Sequence, residues 1–195
     1  MNYKKLIPVI IIAIVLIIIA SVVGSAVTTY NRTVDRRESV DTYEAEVKSR
    51  LQQRHDKMEQ IISAVEGLED HAEDLMTLIT EARAAYAGAS TVEQFAEADA
   101  MEANALSRLL VIVEDNPEGI NASSAYYSYI NEASAMENVL AVARRDYNEA
   151  VKDYNVSVKK FPTALYIGMF GFEEKLPYWK TDEGSEEVPI VDFTD

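Results

Sequence analysis

The chain has 195 residues with 33 acidic against 18 basic side chains, a formal net charge of -15, and no cysteine. The missing cysteine excludes disulfides, thiolate metal sites, a cysteine nucleophile and a lipidated cysteine anchor, and the charge repels nucleic acid. Only seven glycines in an Ala-, Glu-, Val- and Tyr-rich chain favour helix over sheet, and a body of roughly 165 residues beyond the apolar start suits one domain.

Residues 1–5 form a short N-terminal tail, and Leu6 to Val27 is almost wholly apolar, with no charge between Lys5 and Arg32. That run suffices to cross a hydrocarbon layer of about 30 Å at 1.5 Å per residue, so 6–28 reads as a transmembrane helix. The rival is a cleaved secretory signal, whose apolar region normally runs about 7–15 residues; here the unbroken run Leu6 to Ala20 continues through Ser21 to Val27. Pro8 falls in the first turn, where its missing N–H has no helical acceptor to lose. Lys4 and Lys5 precede the span and Arg32, Arg36, Arg37 and Lys48 follow it, which places the C-terminal body of a single-pass cell-membrane protein in the cytoplasm.

Val47, Leu51, Met58, Ile61, Val65, Leu68, Ala72, Leu75, Ile79, Ala82 and Tyr86 recur in steps of three and four, a stripe facing a core. Gly67 interrupts helix propensity but not phase, so the residues leave open one long helix to Ala87 or a turn near Gly67 and Asp70. Gly88 and Ala89 break the pattern. Ser90-Thr91-Val92-Glu93 has the Ser-x-x-Glu form of a capping box and starts a helix with a stripe of Phe95, Ala96, Ala103, Leu106, Leu110 and Val113. That helix stops at Asn116-Pro117-Glu118-Gly119.

Asn121, Ser123 or Ser124 caps a final helix, Ser123 to Lys160, with a core stripe of Ala133, Leu140, Tyr147, Tyr154 and Phe161, closed by Pro162. Tyr147-Asn148, Tyr154-Asn155 and Phe161-Pro162 stand seven residues apart, the spacing of a packing seam. An apolar, glycine-spaced stretch from Leu165 to Phe172 follows, then an acidic tail that we draw over 173–195. The fold class is all-α: an N-terminal transmembrane helix and an antiparallel helical bundle, four-helix up-and-down in preference to three long helices.

These residues resemble the LemA family of bacterial and archaeal membrane proteins. The resemblance runs from Tyr30-Asn31 and Val34 through Leu51-Gln52-Gln53-Arg54-His55-Asp56 and Ala82-Arg83 to Glu114 with Pro117. It is strongest in Glu137, Ala143-Arg144, Tyr147-Asn148, Tyr154-Asn155, Phe161-Pro162 and Gly171-Phe172. Glu59-Gln60 stands where the family commonly has Pro-Asn, and Asn116 replaces a frequent tyrosine. The resemblance implies a single N-terminal membrane helix, a bundle over 30–172, no established enzymatic activity, and relatives associated with building bacterial organelle membranes.

Arg54 falls in the helical phase of Val47 and Ile61, and a buried guanidinium needs a partner. Glu114 and Glu137 are candidates, and Arg144 lies two turns from Glu137 on the same face. The structural reading is an interhelical ion pair, under which Arg54→Leu leaves the bundle stable or nearly so; a ligand or partner site is the rival. A carboxylate metal centre lacks its Glu-x-x-His pairs: His55 follows Gln52 and His71 follows Leu68 at that spacing. No serine has a nucleophile elbow or paired base. Tyr147, Asn148, Tyr154 and Asn155 read as core rings with amides on the shoulder, or as a polar pocket. Phe161 to Phe172 is either an interfacial segment or a cap on the bundle. Of three matches to the glycosylation acceptor, at Asn31, Asn121 and Asn155, only Asn121 falls in a loop.

The function expected is therefore a membrane-anchored, non-enzymatic scaffold engaging a protein partner or the membrane, without cofactor, metal, nucleic acid or evident small-molecule substrate. The alternatives are a single-span sensor that relays helix movement and, third, a carboxylate-metal enzyme.

Overall fold

A computed structural model describes residues 3–65, 72–115 and 124–180, excluding the side chains of 3–5, 58–65, 72–75, 110, 112–115, 124–130 and 133. The chain is all-α: α1 (Tyr3–Val65), α2 (Ala72–Gly88), α3 (Val92–Asp115), α4 (Ser124–Lys159) and the short α5 (Thr163–Phe170). Gly67, His71, Asn121 and the tail beyond residue 180 lie outside the described residues.

The chain forms two compact units, each drawing on α1 and α4. The first combines residues up to Thr42 with Glu149–Leu176. Its apolar stretch from Leu6 is long and apolar enough to cross a membrane, and none of it is buried by protein, as lipid-facing side chains require. Beyond the stretch Thr29, Thr33 and Val40 are buried, as are Val151, Tyr154, Val158 and Ile167 of the other segment. The Thr33 hydroxyl donates to the Thr29 carbonyl at 2.9 Å, which satisfies it in the core. Tyr30 meets Phe170 edge-on at 5.2 Å and Phe172 at 5.6 Å, tying α5 to α1.

α4 ends at Lys159. Phe161, expected on the core stripe, is therefore off the helix and 81% exposed, because the turn carries it away before the heptad reaches it. A cis peptide joins it to Pro162. Gly171 closes α5 at φ 73°, a left-handed conformation in which glycine has no Cβ to clash, and donates its N–H to the Ile167 carbonyl.

The second unit holds Tyr43–Asn148 with the segment from Pro177. His55 on α1 stacks on Tyr86 of α2 with centroids 5.2 Å apart; one continuous helix would put them about 46 Å apart. Thus α1 and α2 are antiparallel neighbours, and the single long helix to Ala87 is excluded. Tyr86 in turn meets Phe95 of α3 at 5.6 Å. Lys57 on α1 pairs with Glu132 on α4 at 2.7 Å, which brings the fourth helix alongside. Val47, Leu51, Ile79, Ala82, Leu109 and Leu140 fill the core of this four-helix bundle.

The capping box sits one residue later than Ser90-x-x-Glu93 suggests. Thr91 Oγ1 accepts from the Gln94 amide at 3.3 Å, while Gln94 Oε1 accepts the backbone N–H groups of Ser90 and Thr91. The box is Thr-x-x-Gln, and Glu93 serves instead as the acidic residue of the first turn. The α3 stripe is likewise shifted: Val92, Ala96, Asp99, Glu102, Leu106 and Leu109 are buried, and Ala103 is only half-buried.

Candidate functional site

Arg54 is the hub of the second unit. It is 1% exposed, one of the largest side chains fully enclosed. Its Nε and Nη2 donate to Glu102 Oε2 at 3.2 and 3.0 Å, Nη1 to Glu137 Oε2 at 2.8 Å, and Nη2 also to the Asp99 carbonyl at 3.0 Å. Asp99 Oδ1 lies 2.7 Å from Nη2. One guanidinium on α1 thus joins α3 and α4, a task its planar fork of donors suits and an ammonium does not. Burial alone would lower the guanidinium's affinity for its proton; Asp99, Glu102 and Glu137 outweigh it and raise the pKa above the ordinary arginine value.

Each carboxylate has further partners. Arg144 donates from Nη1 to Glu137 Oε1 at 3.0 Å and from Nη2 to Asp99 Oδ1 at 2.5 Å. Trp179 Nε1 donates to Asp99 Oδ2 at 3.1 Å. His55 Nδ1 lies 2.6 Å from Glu102 Oε1. Among the described residues no group of three or more His, Asp or Glu side chains is arranged to hold a metal ion; guanidinium donors occupy the space between these carboxylates.

The tyrosine-asparagine doublets hold an extended segment onto α4. In the first unit Asn155 Nδ2 donates to the Leu176 carbonyl at 3.0 Å and its Oδ1 accepts the Leu176 N–H at 2.7 Å, while Tyr154 donates to the Glu173 carbonyl at 2.8 Å. In the second unit Asn148 makes the same two-bond ring with Trp179, at 2.9 and 2.8 Å, and Tyr147 donates to the Pro177 carbonyl at 2.9 Å. An asparagine amide presents a donor and an acceptor side by side and so imitates the edge of a neighbouring β-strand. Burial raises the Tyr154 pKa, with Glu173 adding to the effect and Arg37 opposing it; burial, then Glu102 and Asp56, raises that of Tyr86.

The structure thus brings Arg54, Glu137 and Arg144 together, and sets Tyr147, Asn148, Tyr154 and Asn155 against residues 173–180. The side chain of Glu114 lies outside those described. Sequence reasoning missed Asp99, Glu102, His55 and Trp179 as members of the cluster. A signal existed for two of them: Asp99 and Glu102 keep the core phase of Ala96, Leu106 and Leu109, and acids in that phase announce a buried cation.

The sequence pattern of the LemA family matches residues 43–193. The chain is 31% identical over 94 residues to both magnetosome protein MamQ 2 and magnetosome protein MamQ 1 of Paramagnetospirillum magneticum. It is 29% identical over 94 residues to magnetosome protein MamQ of Magnetospirillum gryphiswaldense. Each match covers 48% of this chain and 34% of the relative, so the chain is similar to about a third of the length of these proteins.

Proposed function

The chain belongs to the LemA family, and from that premise we propose that it is a membrane-anchored helical scaffold engaging a protein partner, without turnover. The observation that carries the reading is the engagement of the cluster's polar groups with one another: Arg54, Arg144 and Trp179 with the buried Asp99 and Glu102 and the partly exposed Glu137. A reacting site keeps a nucleophile, base or ligand position open to substrate, whereas these groups fix which helices meet. Membrane localisation rests on the apolar stretch of α1 and on similarity to magnetosome proteins, and neither they nor the family are known as enzymes. That similarity supports a part in membrane organisation. The excess of Arg32, Arg36, Arg37 and Lys48 over Lys4 and Lys5 supports a cytoplasmic body.

Affinity capture of the full chain from detergent-solubilised membranes, quantified against an untagged control, tests the scaffold. A reproducible stoichiometric protein partner supports it; a stoichiometric transition metal or a turnover product from the purified chain overturns it. One observation favours a second reading, a relay across the bilayer: α1 carries both the membrane stretch and Arg54 on one helix, Tyr3–Val65. A relay requires the oligomeric state or helix register to change with a stimulus, which spin-label distances in reconstituted protein would detect.

A further inference from the structure

The first unit contains a cleft of about 490 Å³ where α1 leaves its apolar stretch, beside the turn between α4 and α5. Arg32, Arg36 and Lys160 supply its charge, Ser25 and Thr28 add hydroxyls, and no acidic side chain lines it. Among the described residues none of these three cations has an ion-pair partner. The contrast with the rest of α1 is sharp: Arg37 pairs with Asp41 and Glu173, Lys48 with Glu44, Arg50 with Glu46, and Arg54 with its three carboxylates. In a chain of net charge -15, cations left without acids in one concavity point to an anion from outside.

Position narrows the class of anion. The apolar stretch ends at Val27; Arg32 lies about 7 Å further along the helix axis, and Arg36, on the same face, about 13 Å. The headgroup layer is roughly 5–8 Å deep on each side of the hydrocarbon, so Arg32 falls within it, and the Arg36 backbone stands about 5–8 Å beyond it, a gap its long side chain can span back towards the phosphates. Tyr30, at the same level, holds Phe170, placing α5 at the depth where aromatic belts form. Phe161, Leu165 and Met169 stand 81%, 65% and 78% exposed in the same unit, apolar enough to enter the upper acyl region. A freely dissolved phosphate would use the cations but not these side chains.

The geometry points to a binding site for the phosphate headgroup of an anionic phospholipid in the membrane that α1 spans, with Arg32, Arg36 and Lys160 on the phosphate and Phe161, Leu165 and Met169 against the chains. This recognition is local; the overall negative charge opposes diffuse adsorption of the whole body to the same lipids. It is also independent of the scaffold reading, because a lipid held at this cleft neither requires nor replaces a protein partner.

The full chain is reconstituted in nanodiscs of phosphatidylcholine carrying a minor fraction of spin-labelled phosphatidylglycerol or spin-labelled phosphatidylcholine, and the immobilised lipid fraction is measured. Phosphatidylglycerol is expected to be enriched about fivefold or more, the worth of roughly one cation at a membrane surface. Arg32→Gln/Arg36→Gln/Lys160→Gln is expected to bring the two labels to parity, and Arg32→Lys/Arg36→Lys to retain the enrichment, with the helical signal unchanged in both. Equal immobilisation of the labels by the natural chain, or enrichment that survives the triple glutamine variant, overturns the site. Loss of enrichment on adding millimolar inorganic phosphate at constant ionic strength also overturns it, since the cleft would then be reading free phosphate.

Discussion

The side-chain amide of Asn155 closes a ring on Leu176, donating to its carbonyl at 3.0 Å and accepting its N–H at 2.7 Å. Both residues are buried, so neither half of the ring is replaced by water when the amide is lost. Asn155→Asp keeps an acceptor for the N–H but turns a carboxylate oxygen towards the carbonyl. We expect Asn155→Asp and Asn155→Ala each to destabilise the first unit by about 1–3 kcal/mol, read by urea denaturation, with faster exchange of the Leu176 amide hydrogen. Unchanged exchange at Leu176 would contradict the ring.

Arg54 serves Asp99, Glu102 and Glu137 together, and Asp99 and Glu102 are 3% and 2% exposed. The tolerance of Arg54→Leu expected for a simple pair does not follow from this arrangement, because the substitution strands buried carboxylates. It should cost about 3–5 kcal/mol. Arg54→Leu combined with Asp99→Asn and Glu102→Gln should recover much of that loss in the same denaturation experiment, since neighbours in one network are not additive.

Tyr154 and Tyr86 have pKa values raised above 10.0 in the folded chain. Both rings hold their protons more tightly folded than unfolded, so their contribution is fully present below pH 10. It is lost as pH rises through the folded values. Denaturation midpoints followed from pH 8 upward should therefore stay level with respect to these groups and then fall above pH 10. Tyr154→Phe should lower the plateau by about 1 kcal/mol for the lost bond to Glu173 and make the alkaline fall shallower.

Trp179 is the single tryptophan and is 3% exposed, so its fluorescence reports directly on the extended segment. A chain ending after Lys180 should keep blue-shifted emission that moves to the red on unfolding. Trp179→Phe retains a ring beside Tyr147 but removes the donor to Asp99 Oδ2; the expected loss is about 1–3 kcal/mol. Ending the chain after Phe172 removes both asparagine rings and should lower stability by more than Asn155→Ala does.

Much of the architecture was legible because it depends on local patterns. The Val47, Leu51, Ile79 and Ala82 phase, the break at Gly88 and the end of α4 before Pro162 follow from periodicity and from backbone chemistry. Arg54 was legible as a buried charge for the same reason. Its partners were harder to see, because Asp99 and Glu102 resemble solvated acids unless their phase is set by the buried neighbours Ala96 and Leu109 rather than by Ala103 and Leu110. The role of Asn148 and Asn155 was hidden more deeply. They bind main-chain groups of residues 176 and 179, and a partner recognised through its backbone leaves no side-chain pattern to match.

That mode of holding has a consequence for how the segment can vary. Asn148 and Asn155 require an N–H at residues 179 and 176, so proline is forbidden at those two places; residue 176 is otherwise held only to an apolar side chain that fits, whereas Trp179 is also held by the bond from its ring to Asp99. Pro177 is admissible where it stands because Tyr147 asks only for its carbonyl. Apart from the buried Leu176 and Trp179 side chains, substitutions along this stretch are thus constrained by whether the main chain can stay extended and offer its polar edge, which leaves the remaining positions freer to drift than the helix that grips them.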